Sequence, residues 1–436
     1  MKIKGRTATD IAASLERGLY AGTRAHGETL PTVRALAADL GVSPATVSSA
    51  YKLLRTRGLV VGVGRRGTRI SRQVPAPFSG AQPAVPDGTI DLATGDPDPA
   101  LLAPLGPAML LPKHELRLYG GPSDHSGLTA FASAEFEADG VPGQSVAVLG
   151  GAMDAIERVL REHLRPGDRV ALEDPSFPAL VDLIGASGYT SVPVAMDDDG
   201  PLPDALAAAL GDGCRAMIAT PRAQNPTGAA ISVERADALR RVLRDFPGIV
   251  LIENDFAGPV AGAAMHTLTD PRHERWAVVR STSKFLGPDL RLAVMAGDAV
   301  TVARVRGRHA LGSRWVSHIL QALALTLWSD PSSGRRLARA AEIYAHRRNA
   351  VLTALGAQNI KAVGRSGFNV WVPVRDEVSV VCSMADRGWA VAAGERFRLQ
   401  AVPAIRVTVS ALQPRDADRF AGDLADSLRP TEAGFA

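Results

Sequence analysis

The feature that most constrains this chain is a break in it. From Gln73 to Asp87 the sequence turns to Pro, Ala and Gly, with Pro75, Pro77, Pro83 and Pro86 and little apolar periodicity. Each proline fixes φ and removes a backbone donor, so the stretch suits neither a helix interior nor a central strand. A chain of 436 residues interrupted in this way is expected to fold as separate bodies. The boundaries read as a head at 1–72, a linker at 73–88 and a body at 89–436, with a small C-terminal α+β part from about residue 340.

The two sides of the break differ in charge. Residues 1–72 hold thirteen Lys and Arg against four Asp and Glu, a net of +9, while the remainder carries −5. A basic head on a mildly acidic body suits an anionic partner for the head. No run of about eighteen uncharged apolar residues occurs, and Met1–Arg6 lacks the apolar core of a secretory signal. The two cysteines, Cys214 and Cys382, are far apart and in no CxxC pattern. The expectation is a cytoplasmic protein with no membrane span and no metal site.

In the head, Val33, Leu36, Ala37 and Leu40 recur at the spacing of one helix face. Pro31 lies at or just before its start, and Gly41 can turn the chain at its end. Ser43 stands where an N-cap belongs, with Pro44 at the first helical position. The next helix buries Val47, Tyr51 and Leu54 and offers Thr46, Ser48, Ser49, Lys52 and Arg55 on its other face. Small hydroxyls and cations suit phosphate oxygens and base edges. Leu59–Val61, then Gly62, Gly64, Arg65, Arg66 and Gly67, then Thr68–Ile70, read as a hairpin with a cationic tip. Amphipathic helices alone fit any small helical domain, but the whole order fits a winged helix-turn-helix. Over 7–70 it resembles the GntR-type winged helix. That resemblance places Arg34, Thr46, Arg65 and Arg66 at double-stranded DNA, with Ser43, Ser48 and Lys52 beside them.

From about Ile90, short apolar runs alternate with amphipathic helical stretches, the pattern of an α/β body. Strand candidates are Val146–Leu149, Val170–Leu172, Ala216–Ala219, Ile249–Ile252, Trp276–Val279 and Leu292–Ala296, with Phe368–Val372 and Ile405–Val409 near the end. Ser281-Thr282-Ser283-Lys284 leaves the strand at 276–280, and Arg291 follows seven residues after Lys284. A lysine amine can form a Schiff base with an aldehyde, and a hydroxyl and a guanidinium at this spacing can hold its phosphate.

Four other places agree. Gly150-Gly151-Ala152-Met153 joins a strand to a helix and offers backbone N–H groups to a phosphate. Phe177, after Glu173-Asp174-Pro175-Ser176, can stack on a pyridine, although a core role fits it equally well. Asn225, in Asn225-Pro226-Thr227-Gly228, can donate to a phenolic oxygen. Glu253-Asn254-Asp255-Phe256 ends a strand where a carboxylate can meet a ring nitrogen.

Together these segments resemble the fold-type I aminotransferases over about 90–430, and the two domains together resemble the MocR subfamily of GntR-type regulators. Thr220–Gly228, Ser283–Arg291 and Trp315–His318 look most like PtsJ-type members. The resemblance implies a homodimer that binds pyridoxal 5'-phosphate and a DNA operator and acts in vitamin B6 metabolism. It also implies that Tyr119 reaches the partner subunit's phosphate site and that Arg406 stands where an arginine holds a substrate or effector carboxylate.

The sequence departs from that family at the ring. Aminotransferases hold the pyridine nitrogen with a carboxylate, because a protonated ring is the electron sink. Here Asn254 stands at that place, and Phe256 and Phe177 replace tyrosines. Asp255 could serve after a one-residue shift, yet neighbouring strand residues face opposite sides. Whether Asn254 or Asp255 meets the nitrogen is open at this stage. The expectation is a site that binds cofactor and transaminates poorly. A working aminotransferase with a DNA-binding appendage and a purely scaffolding body are the competing readings.

Overall fold

The computed structural model describes residues 3–20, 27–56, 59–62, 67–70, 85, 87–108, 118–270 and 273–429. The wing-tip arginines Arg65 and Arg66 and nearly all of the linker lie outside them. The chain divides into two compact units, one comprising residues 1–81 with 165–169 and 181–191, the other residues 82–164, 170–180 and 192–436.

The head packs α1 (Ala8–Tyr20), α2 (Val33–Leu40) and α3 (Pro44–Thr56) with the hairpin β1 (Val60–Gly62) and β2 (Thr68–Ile70). Its turns follow from side-chain chemistry. Thr32 Oγ1 accepts the Ala35 N–H at 3.2 Å to start α2, and Gly41, at φ 65°, ends it in the left-handed region. Ser43 Oγ then accepts the Thr46 N–H at 3.1 Å and starts α3. Ile11, Leu15, Leu36, Val47, Tyr51, Leu54, Val60 and Ile70 form the core. The Tyr51 hydroxyl donates to the Pro31 carbonyl at 2.8 Å, fixing the entry to α2.

The body begins with β3 (Ile90–Leu92), α4 (Leu105–Ala108) and α5 (Ser126–Ala138). Strand and helix then alternate through β4 (Val146–Leu149), α6 (Ala152–His163), β5 (Arg169–Asp174), α7 (Pro178–Ala186), β6 (Thr190–Asp197), β7 (Gly200–Pro201), α8 (Pro203–Gly211), β8 (Cys214–Ala219), α9 (Val233–Arg244) and β9 (Val250–Asp255). Next come β10 (Trp276–Ser281), β11 (Ala293–Gly297), α10 (Ala299–Ala310), α11 (His318–Ser329) and α12 (Ser333–Ala357). β12 (Asn369–Pro373), α13 (Glu377–Asp386), β13 (Trp389–Ala393), β14 (Ala404–Thr408) and α14 (Ala417–Leu428) follow.

Eight strands form one sheet in the order β4-β11-β10-β9-β8-β5-β6-β7, with β8, β9 and β10 parallel and β11 antiparallel to both its neighbours. The central strands β9 and β10 are buried along their whole length, and their buried charged residues are paired. The parallel run brings the ends of β8, β9 and β10 to one edge, where an open α/β sheet offers a crevice.

The strands expected from the sequence are present, with ends moved by up to three residues. The largest difference is at β9, which continues through Glu253, Asn254 and Asp255 instead of stopping at Ile252. All three are buried, and pairing of the charged ones is what lets the strand run on. The small sheet, β12-β14-β13-β3, also draws on chain far from the C-terminal part: Ile90–Leu92 pairs parallel with Trp389–Val391.

Candidate functional site

Lys284 lies three residues after the end of β10. It is half-buried, and its Nζ donates to the Gly95 carbonyl at 2.7 Å. Burial pulls its amine down to about 8; Asp96 opposes this and the Arg406 charge adds to it. An amine so placed is partly unprotonated near neutral pH and can attack an aldehyde. Ser281, the last residue of β10, is buried, and its Oγ accepts the Ser283 N–H at 3.3 Å.

The N-terminus of α6 lies beside a cation. Gly151 is the N-cap and gives α6 no side-chain cap, so the N–H groups that open the helix, at Ala152 and Met153, keep their donor capacity. Gly151 sits at φ 114°, and a Cβ there would come within 3.4 Å of the Arg291 guanidinium. The same close approach makes a cradle for an anion: helix dipole on one side, guanidinium on the other.

Asn254 and Asp255 separate cleanly. Asn254 pairs with Val279, two residues before Ser281, so Asn254 and Ser281 project from one face while Asp255 and Arg280 project from the other. Asp255 is fully buried between Arg222 and Arg280, both of which also bond Asp139. Burial alone would raise its carboxyl, but the two guanidiniums hold it well below the usual carboxylate range. The Asn254 Oδ1 is buried with no hydrogen-bond partner among the described residues. Such an orphan costs about 1–3 kcal/mol, and a polar ligand atom would recover it. Phe256 is half-buried after β9 and packs against Ala223, Ala257 and Ala261.

Residues 90–424 match the aminotransferase class I and II family, and residues 7–70 match the bacterial regulatory proteins of the gntR family. The chain is 37% identical to the vitamin B6 salvage pathway transcriptional repressor PtsJ of Salmonella typhimurium, over 98% of this chain and 99% of that one. This chain belongs to the gntR-family regulators that carry an aminotransferase class I and II domain. It is also 26% identical to the pyridoxine biosynthesis transcriptional regulator PdxR of Corynebacterium glutamicum, over 88% of this chain and 87% of that one. Kynurenine aminotransferase of Pyrococcus horikoshii shares the body's fold with a TM-score of 0.71 at 19% identity, covering 78% of this chain and 91% of that one.

In this gntR-family regulator the remaining expected residues fall into place unevenly. Arg406, on β14, is buried and already committed: it donates to the Ala93 carbonyl and, at 3.1 Å, to Asn225 Oδ1, with Phe397 4.7 Å from its guanidinium. Burial lowers it to about 10, against the nearby carboxylate of Asp91. Asn225 is half-buried and orients its oxygen towards Arg406, which leaves its NH2 to donate elsewhere. Phe177 is half-buried at the start of α7.

Tyr119 behaves differently. It is 80% exposed, with its ring edge against Trp315 at 5.8 Å and Arg314 5.2 Å away, and none of these contacts is with an expected site residue. In the head, Arg34, Ser43, Ser48 and Lys52 are exposed and Thr46 is half-exposed. Ser43 and Thr46 share a hydroxyl contact at 2.9 Å, so Ser43 serves α3 as a cap first.

Two residues that carry no local sequence signal matter here. Arg222 and Arg280 hold Asp255 away from the Asn254 face. Their partners lie 33 and 25 residues away, beyond any local spacing signal. Among the described residues no helix is long and apolar enough to cross a membrane, and no His, Cys, Asp or Glu group could hold a metal.

Proposed function

We propose that this protein is a transcription regulator that binds pyridoxal phosphate at Lys284 and changes its hold on operator DNA in response, as a homodimer serving vitamin B6 metabolism. The observation that carries the reading is the face shared by Asn254 and Ser281, beside Lys284 and the Arg291–Gly151 cradle.

The site fits the cofactor group by group. The Lys284 amine suits its aldehyde. The Gly151, Ala152 and Met153 backbone, the Ser281 and Ser283 hydroxyls and Arg291 suit its phosphate. Phe177 suits one ring face, the Asn225 amide the phenolic oxygen, and the Asn254 amide the ring nitrogen, its NH2 donating to a neutral nitrogen or its oxygen accepting from a protonated one, near Phe256. When bound, the cofactor supplies an electron sink only as far as its ring nitrogen is held protonated. A neutral amide supports that charge far less than a carboxylate. Asn254 therefore favours sensing over turnover.

Tyr119, Leu118 and Leu311 are each at least 80% exposed, an apolar surface suited to a second copy of this chain. Tyr119 would complete the phosphate site of that copy. Arg406 would meet an effector carboxylate through its Nε, which is buried with no hydrogen-bond partner among the described residues.

The test is a titration of pyridoxal phosphate into wild type and Lys284→Ala, read by visible absorption and by operator affinity. Wild type should gain a band and a change in affinity, and Lys284→Ala neither. Operator affinity that stays flat while the band appears would leave the body a scaffold and end the sensor reading.

A further inference from the structure

Gln224 is 1% exposed, and its side-chain amide is fully used. Its Nε2 donates to Glu173 Oε2 at 3.2 Å and to the Pro175 carbonyl at 2.8 Å. Its Oε1 accepts from the Thr227 N–H at 3.0 Å and the Thr227 hydroxyl at 2.7 Å. The first pair of bonds grips the end of β5 and the loop that delivers Phe177. The second pair closes the turn that carries Asn225. Glu173 extends the link by accepting the Thr220 N–H at 2.8 Å at the end of β8.

We propose that Gln224 is a positioning residue that sets the spacing between the Phe177 ring and the Asn225 amide. This rests on the reading of the site as a pyridoxal phosphate site. Phe177 and Asn225 approach the cofactor from different loops, and loops are the parts of a fold that drift most readily. A primary amide suits the task because its two ends differ. Its donors meet only acceptors, Glu173 and Pro175, and its acceptor meets only donors, both on Thr227. A flipped amide would set donor against donor on the Thr227 side, so a single orientation is enforced. Methionine has the length but neither function. Glutamate keeps the acceptor and loses the donors, and it would face the Glu173 carboxylate.

The experiment uses the full-length chain and three variants: Gln224→Met, Gln224→Glu, and Leu239→Ala as a control. Leu239 is fully buried on α9, outside the cofactor and DNA-binding residues, so its truncation lowers stability by loss of packing. Thermal midpoints are measured without cofactor, and pyridoxal phosphate affinity and the position of the absorption band with it. Both Gln224 variants should bind the cofactor about tenfold more weakly, the scale of one lost positioning contact, with a displaced or broadened band. The control should keep wild-type affinity and band at a comparably lowered midpoint. If the control shifts affinity and band as much as the Gln224 variants do, Gln224 is merely structural and the inference falls. It falls too if the variants bind like wild type. Should Gln224→Met fail to fold, Gln224→Glu alone decides against the control. A wild type with no band at all would remove the underlying site reading, a distinct result from a normal wild type with unaffected variants.

Discussion

The guanidinium of Arg222 grips both carboxylate oxygens of Asp255, Nε to Oδ1 at 2.9 Å and Nη2 to Oδ2 at 3.0 Å. Arg280 Nε reaches the same carboxylate at 2.7 Å. Asp255 is thereby spoken for by charge pairing, and it lies on the face of β9 opposite the one that Asn254 shares with Ser281. Two arginines need a buried anion on their face of β9, and the residue left on the other face is an amide.

The first prediction concerns that amide. Asn254→Asp would place a carboxylate on the face shared with Ser281. An opposite charge this close typically shifts a partner's pKa by about 1–3 units, so the ring nitrogen would hold its proton. Amino-group exchange with amino acids, followed by keto-acid release, should rise at least about tenfold over wild type. A variant no faster than wild type would mean that something other than Asn254 limits turnover.

Removing the anion on the opposite face should cost stability instead. Asp255→Asn leaves Arg222 and Arg280 buried with half their pairing gone, a change worth about 3–5 kcal/mol. Denaturant unfolding of the body measures it. A loss under about 1 kcal/mol would show that Asp139 suffices to pair both guanidiniums.

Much of this site is legible in the sequence, for a physical reason. Lys284, Ser281 and Arg291 lie within eleven positions of one another, and Gly151 sits in a single strand-to-helix turn, so local spacing reveals them. The helix ends of the head are equally local, as with Thr32, Gly41 and Ser43. The rest depends on distant partners. Glu253 and Asp255 stand in the sequence only as carboxylates at a strand end; their burial depends on Thr267, Leu268, Arg222 and Arg280, which come to them from distant chain. Strand β3 is three residues long and exists only because β13 pairs with it. Strand β6 lies near the sheet edge, and its burial lacks clean alternation, so no period betrays it.

Capture of the cofactor should follow the Lys284 amine. With that group near 8, only a fraction is unprotonated at lower pH, and only the free amine attacks an aldehyde. The rate of band formation should climb about tenfold per pH unit below 8 and level off above it. An ordinary lysine would keep the rate rising well past pH 9, and that profile would refute the placement of Lys284.

Two buried acids make stability depend on pH. Burial raises Glu173 and Glu253 from 4.5 to about 7, although bonds from Thr220 and Gln224, and from Thr267 and Leu268, pull each back. Between those values the folded chain keeps the protons and the unfolded chain releases them. The contribution of these acids is therefore full below 4.5 and is lost as pH rises through about 7. His163, His273 and His309, lowered by burial, act in the opposite sense below 6.5. The measurement is thus the difference between wild type and the Glu173→Gln, Glu253→Gln double variant. The midpoint of wild type should fall relative to the double variant from pH 5 to pH 8. Parallel curves would place both acids outside this titration.

The head offers the last prediction, which joins charge on α2 and α3 to the cofactor. Arg34 and Lys52 are exposed cations beside the exposed Ser48 and half-exposed Thr46 hydroxyls. Each phosphate neutralised contributes about 0.9 to the slope of log affinity against log salt. Arg34→Ala and Lys52→Ala should each flatten that slope by about that amount per head, or about twice that for a dimer. If pyridoxal phosphate alters operator affinity through a shift between two states, it does so by its different affinity for them, typically worth about 1–3 kcal/mol. Linkage then demands that operator DNA alter cofactor affinity by the same factor. Because Arg34 and Lys52 would touch DNA in either state, their removal should weaken operator binding with and without cofactor alike, leaving that factor unchanged. Measuring operator affinity of wild type and both variants at zero and saturating pyridoxal phosphate separates the two effects. If the coupling factor collapses together with the salt slope, these side chains belong to the switch itself, and the division between a reading head and a sensing body is wrong.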